Sequence, residues 1–386
     1  MDTNEFSQAS ATPPPPHSVP PPVLLPPAPA RPAKNGRGWM ILAIILFLLL
    51  GFSVLLNFGH FMGALLDGPS LQAHTVGGPR LDEVLLKDND GHSKIAVISI
   101  DGVITSSVMD QSGFSMVDVI KAQLDRAAED RKVKAVLLKV DSPGGEVLAS
   151  DDIAKAIAEF QSEDGAEKPV IVSMGSLAAS GGYYVSAPAR WIVANELTIT
   201  GSIGVIMSTL NYRGLMSKVG IRPLTYKSGR FKDMLSGSRE PTEIPEEERA
   251  MIQSLIDETY EKFKSVVDTG RSTASKSNAS GDSQGRKLVA NWREFADGRI
   301  LSGKEAHKLG FVDQLGDYDA ALDQAAKIAG IEDGYDVVEY RLRYDIGDFL
   351  RMFGKSDAHA VKVELGFDLP KLEAGRMYFL SPTHLH

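Results

Sequence analysis

Residues Pro169–Ser186 read PVIVSMGSLAASGGYYVS. The opening PVIVSM is a short apolar run rich in Val and Ile, the composition of a strand buried on both faces. The closing ASGGYYVS predicts the start of a helix. Ser180 stands between them, with Gly181 and Gly182 behind it, so the chain leaves a strand, passes a serine and enters a helix. Serine is a weak nucleophile that needs a base within hydrogen-bond reach and donors for the oxyanion formed on attack. Glycines without side chains allow close approach, and a helix start offers free N–H groups, of which Gly181 N–H is a natural donor. The same small residues would also serve to pack a helix tightly on a sheet.

Working outward, KIAVISIDGVI from Lys94 and VKAVLLKVDSPGG from Val133 are further Val/Ile-rich runs, and WIVANE and GSIGVI follow the serine motif as predicted strands. VDVIKAQLDRAAEDRKV and DDIAKAIAEFQS carry apolar residues at helical spacing. Strands alternating with helices predict an α/β fold with parallel sheet and crossover helices. IPEEERAMIQSLIDETYEKFKSVV, with Pro245 near its start and acids in its first turn, predicts a long helix. Ser272–Gly285, STASKSNASGDSQG, reads as a mobile loop, and its Asn278 sequon is discounted. GKEAHKLGFVDQLGDYDAALDQAAKIAGI predicts two helices around a short strand.

A second glycine turn, VDSPGG, ends the Val133 strand with Asp141, Pro143, Gly144 and Gly145. Sites in open α/β sheets gather at the carboxyl edge of the strands. Neither a Gly-x-Gly-x-x-Gly nor a Walker pattern is present, which argues against phosphate binding. Gly145 N–H is the candidate second oxyanion donor.

Composition narrows the chemistry. The 386 residues contain no cysteine, so thiol nucleophiles and cysteine-held metals are excluded. Lys and Arg number 41 against 50 Asp and Glu, a net charge of −9, which disfavours nucleic acid as a partner. No His-Glu-x-x-His pattern supports a zinc protease. The histidines nearest Ser180 are His92 and His307, neither in a block that forms the candidate site, which leaves lysine as the base. A lysine must be neutral to accept a proton, against a reference pKa of about 10.4, and burial can lower that value. Lys218, Lys227 and Lys232 are the downstream candidates.

The amino-terminal region is different in kind. Residues 1–38 hold eleven of the 21 prolines and form a low-complexity tail. Trp39–Gly59, inside a stretch uncharged to Leu66, supplies the roughly 20 apolar residues that cross a bilayer. Its length and the lack of a small-x-small site favour a retained transmembrane helix over a cleaved signal peptide. Arg31, Lys34 and Arg37 before it place the amino terminus in the cytoplasm and export the rest to the periplasm or cell exterior. Residues 60–93 then act as a linker, 94–331 as the catalytic domain and 332–386 as a carboxyl-terminal extension.

VDSPGG, GSLAASGGYYVSAPA, ANELTITGSIGVIM, YKSGRFKDMLSGSREPTEIPEEE and ADGRILSGKEAHKLGFVDQLG, in this order from Lys94 to Ile331, together resemble the signal peptide peptidase A (protease IV) family in its short, single-repeat form. The resemblance implies a crotonase/Clp-protease-like fold and a serine endopeptidase with a Ser/Lys dyad. By position, Ser180 resembles the nucleophile, Lys232 the general base, Ser202 the hydroxyl that orients the lysine, and Gly145 and Gly181 the oxyanion donors. It further implies apolar peptide substrates such as cleaved signal peptides, no cofactor, a bacterial inner-membrane location, and a homo-oligomeric ring whose neighbouring subunits contribute Ser and Lys. Two rivals are a catalytically idle anchored scaffold of the same fold and an acyl-CoA enzyme of the crotonase class, which would bind adenine nucleotide.

Overall fold

A computed structural model of the chain describes residues 37–66, 78–108, 113–162, 168–279, 285–343 and 377–380. The proline-rich tail, residues 280–284 of the serine-rich stretch and most of the carboxyl-terminal extension lie outside these residues. The chain divides into two compact units, residues 1–71 and 72–386. In the first, helix α1 spans Arg37–Leu66, with side chains described over residues 40–54. Among the described residues, no helix is long and apolar enough to cross a membrane. The expected span Trp39–Gly59 lies within α1, and some of its side chains fall outside the described ones.

The second unit is a mixed α/β structure. Its strands are β1 (Leu81–Lys87), β2 (Ser93–Asp101), β3 (Val133–Ser142), β4 (Gly144–Glu146), β5 (Val170–Ala179), β6 (Trp191–Ala194), β7 (Ile199–Gly201), β8 (Ile300–Ser302), β9 (Gln314–Leu315), β10 (Tyr335–Leu342) and β11 (Tyr378–Leu380). The main sheet runs β1-β10-β2-β3-β5-β6-β9, with β7 on β5 and β8 on β7. All neighbours are parallel except β1–β10 and β7–β8. Strands β1 and β10 complete one edge of the sheet from outside the 94–331 region.

Successive side chains on a strand face opposite sides, and the core divides accordingly. On β2, Ala96, Ile98 and Ile100 join one cluster while Ile95 and Val97 join another. The first cluster is covered by α2 (Met116–Glu129), α3 (Val147–Ser162), the short α4 (Gly181–Ser186) and α6 (Glu246–Ser277). The second is covered by α8 (Tyr318–Ile328). Helices α5 (Arg213–Lys218) and α7 (Gly303–Leu309) lie along the connections. Ser115 caps α2 in a capping box with Asp118, which explains where that helix starts.

Two sequence expectations are corrected. The strand after Trp191 is Ile199–Gly201, which pairs with β5, whereas GSIGVI contributes only its first residue and a bridge at Ile206. Residues Ser272–Ser277 continue α6 instead of opening a loop. Buried Phe263, Val267, Gly270, Arg271 and Ala274 recur at helical spacing, and that packing outweighs the serine-rich composition. Arg271 forms a buried ion pair with Asp313, and Asn278 exchanges hydrogen bonds with Arg190. Lys232 lies in a series of turns.

Candidate active site

The sheet itself makes the site by splitting beside β5. Ile171–Met174 pair with β6, but Leu177–Ala179 pair with β7. At the fork Gly175 lies against Asp141, whose carboxylate accepts from Leu177 N–H at 3.0 Å. The register pairs Ala179 with Gly201, so the next residues, Ser180 and Ser202, end adjacent strands together. Ser180 N–H donates to Gly201 O at 2.8 Å, and Ser202 N–H donates to Arg299 O at 2.7 Å.

Both serines have left-handed backbone, with φ of 54° at Ser180 and 50° at Ser202. Non-glycine residues rarely adopt it, at a cost of order 1–3 kcal/mol, and such strain concentrates at functional sites. Both are buried, and neither hydroxyl has a hydrogen-bond partner among the described residues. Their surroundings are otherwise well bonded: Thr200 Oγ1 donates to Ala178 O at 2.6 Å, and Ser142 Oγ to Gly102 O at 2.6 Å.

The two glycine turns meet at Ser180. A Cβ on Gly144, which has a φ of 100°, would stand 2.0 Å from Phe379 O and 2.5 Å from Gly181 N. A Cβ on Gly181 would stand 3.0 Å from Gly145 N, and one on Gly182 would stand 2.7 Å from Ser142 O. Only glycine lets these backbones approach so closely. Gly181 opens α4, so no bond inside that helix takes its N–H. The helix has six residues, so the N–H itself, and not a long helix dipole, is the useful group. The arrangement can present a serine hydroxyl to a carbonyl flanked by two backbone donors.

Lys232 is placed differently. It is exposed, and its side chain has no hydrogen-bond or ion-pair partner among the described residues. Lys227, in contrast, donates to Asp233 at 2.6 Å and to Arg230 O at 3.0 Å. The bond from Lys227, reinforced by Arg239, holds the Asp233 carboxyl below its ordinary range. Arg239 also bonds the buried Glu248 at 2.7 Å, which ties the turns around Lys232 to the start of α6. Lys218 ends α5, a helix with no buried residue. The structure therefore brings Ser180, Ser202, Gly145 and Gly181 together, while Lys232 makes no hydrogen bond to either serine.

Supporting residues escaped the sequence. Glu146 accepts from Thr105 Oγ1, from Ser106 N–H and from Ser106 Oγ, fixing the turn that carries Gly145. Arg299, whose carbonyl holds Ser202, is itself held by Asp297. That bond lowers the Asp297 carboxyl to about 2. A carboxylate directly after a glycine turn was the available signal for Glu146.

Residues 162–332 match peptidase family S49. A protein of Enterococcus faecium named signal peptide peptidase SppA is 38% identical over 269 residues, 69% of this chain and 72% of that protein. A protease of Synechocystis is 38% identical over 62% of this chain and 76% of its own length. Protease 4 of Haemophilus influenzae is 32% identical over 61% of this chain and 35% of its own. A variant of the 1510-N membrane-bound stomatin-specific protease, solved with a substrate peptide, aligns with a TM-score of 0.36 at 18% identity, over 68% of this chain and 97% of that one. The chain is a serine peptidase. It belongs to peptidase family S49.

Proposed function

We propose that the chain is a membrane-anchored endopeptidase of crotonase/Clp-like fold in which Ser180 is the nucleophile and Lys232 of a neighbouring copy is the general base. The observation that carries this is the pair Ser180 and Ser202, buried, strained and with hydroxyls that have no hydrogen-bond partner among the described residues, beside the joined turns of Gly145 and Gly181. Ser180 Oγ attacks the scissile carbonyl as Lys232 takes its proton. The N–H groups of Gly145 and Gly181 hold the oxyanion, and Ser202 Oγ orients the amine. The lysinium protonates the leaving amine, and water activated by the same lysine releases the acyl group.

The chain around Lys232 supports its reaching a second copy. Residues 207–226 expose Leu210, Leu215, Val219, Ile221, Leu224 and Tyr226, and α5 buries none of its residues. An exposed apolar run of this length marks a protein interface. A ring of copies would cover it and bring Lys232 to a neighbour's Ser180. The name of the Enterococcus relative and the apolar span Trp39–Gly59 favour cleaved signal peptides and similar apolar peptides at a bacterial inner membrane. The basic flank Arg31, Lys34 and Arg37 favours a cytoplasmic amino terminus and an exported catalytic domain.

Labelling with a fluorophosphonate, alongside hydrolysis of a set of apolar peptides, tests the proposal. Label on Ser180 and loss of both signals in Ser180→Ala are expected. An unlabelled protein would indicate an idle scaffold, and tight adenine-nucleotide binding an acyl-CoA enzyme.

A further inference from the structure

Residues 227–239, which carry Lys232, hold four cations: Lys227, Arg230, Lys232 and Arg239. Three of them meet a carboxylate. Lys227 Nζ lies 2.6 Å from Asp233, Arg230 lies 2.7 Å from Glu247, and Arg239 lies 2.7 Å from Glu248. Lys232 has no such partner among the described residues, although Asp233 is its neighbour in the chain.

The turns are built to hold Asp233 on Lys227. The Lys227 ammonium reaches six residues along the chain to Asp233 and also donates to Arg230 O at 3.0 Å, so it is pinned across the turn. Arg239 stands 3.5 Å from the same Asp233 oxygen, but its shorter contact is with the buried Glu248. Glu248 also accepts from Leu235 N–H at 3.4 Å, and Leu235 carries a φ of 62°. Left-handed backbone at a leucine persists only where the surroundings over-determine it, and such strain gathers at functional sites. Beyond these groups, Arg213 holds Glu240 at 2.9 Å, Glu243 faces Arg239, and Glu246 opens the first turn of α6. Asp233 is thus the carboxylate closest to Lys232 in the chain, and it is already paired.

We infer that Lys227 is a positioning residue that keeps the general base neutral by holding the Asp233 carboxylate away from Lys232. The inference rests on the assignment of Lys232 as that base. A carboxylate beside a lysine favours its charged form, whereas burial favours the neutral one. Paired with Lys227, Asp233 presents almost no net charge, so burial of Lys232 against a neighbouring copy acts on its proton unopposed. The Lys227 bond also holds the Asp233 carboxyl below its ordinary range, so this group is an anion throughout the neutral and alkaline range. Without Lys227 a full negative charge would stand one residue from the base. Lys232 would then pair with it, stay protonated at neutral pH and fail to accept the Ser180 proton.

The pH dependence of kcat/KM for an apolar peptide, measured on the full chain, tests this. Wild type should rise with pH through one deprotonation, that of Lys232. Lys227→Met should move this rise to higher pH by about one unit or more and regain wild-type rates in alkali. Asp233→Asn leaves the Lys227 charge unbalanced and should move the rise to lower pH. The double variant Lys227→Met/Asp233→Asn should return close to the wild-type profile, and Lys227→Arg, which can keep the ion pair, should retain it. A purely structural role would lower rates at every pH without opposite shifts. Unmoved midpoints in both single variants would overturn the inference and leave Lys232 standing as the base. Should Lys227→Met fail to fold, the downward shift in Asp233→Asn carries the test by itself, and its absence overturns the inference. Peptide hydrolysis that survives in Lys232→Ala would overturn the assignment of the base, and the inference with it.

Discussion

Ser180 and Ser202 follow a paired couple, Ala179 and Gly201, at the ends of neighbouring parallel strands, and both carry φ near +50°. Two strained serines thus stand side by side, each hydroxyl without a hydrogen-bond partner among the described residues. If Ser202 Oγ orients the lysine amine, Ser202→Ala removes a hydrogen bond to a charged group, about 1.5–3 kcal/mol. Steady-state kinetics with an apolar peptide should show kcat down roughly tenfold to a hundredfold with KM little changed. A KM effect alone would assign Ser202 to substrate binding.

Gly144→Ala should be severe. Its Cβ would strike Phe379 O and Gly181 N from a left-handed backbone, adding strain of order 1–3 kcal/mol. Peptide hydrolysis should fall sharply, with a melting temperature lowered by a few degrees. Gly102→Ala, at a φ of 77° but facing open space, should cost backbone strain alone and keep most activity.

Acid should loosen the Ser202 side of the site. The Asp297 carboxyl is lowered to about 2, so its bond to Arg299 adds order that is fully present above the ordinary carboxylate range, near 3.9. That order is lost as pH falls from about 4 toward 2. Asp297 and Arg299 are half exposed, so salt should weaken the effect. Hydrogen exchange at Ser202 N–H should accelerate over this window, and Asp297→Asn should show the fast exchange already at neutral pH.

The buried pair Arg271–Asp313 fixes α6 to the sheet. Arg271→Leu leaves Asp313 buried without its partner, which should destabilise the fold by about 3–5 kcal/mol, measured by urea unfolding. The double variant Arg271→Leu/Asp313→Leu should recover part of that loss.

Much of this was legible in the residues themselves. The Val/Ile runs of β2, β3 and β5 and the helical spacing of α2 and α8 are local signals, and the structure has those elements. The junction at Ser180 also followed from local chemistry, since apolar run, serine and two glycines are contiguous. What the sequence concealed depends on contacts between distant segments. The continuation of α6 through Ser272–Ser277 comes from Arg271 meeting Asp313. The place of β10 between β1 and β2 comes from pairing across more than two hundred residues, and the seat of Phe379 between Tyr184 and Phe263 is likewise long range. The fork at Gly175, which brings Ser202 beside Ser180, has no signature in either segment alone.

The central claim is that one copy supplies Ser180 and a neighbour supplies Lys232. Ser180→Ala and Lys232→Ala chains, each purified and then dissociated and reassembled together, test it most directly. Each alone should be inactive, and Lys232→Arg should be as inactive as Lys232→Ala, because arginine stays protonated. The mixture should regain roughly a quarter of wild-type peptide hydrolysis, since random neighbours unite both intact groups at about one interface in four. No recovery in a mixture shown to co-assemble, or near-normal turnover by Lys232→Arg alongside loss in Lys227→Ala, would contradict it.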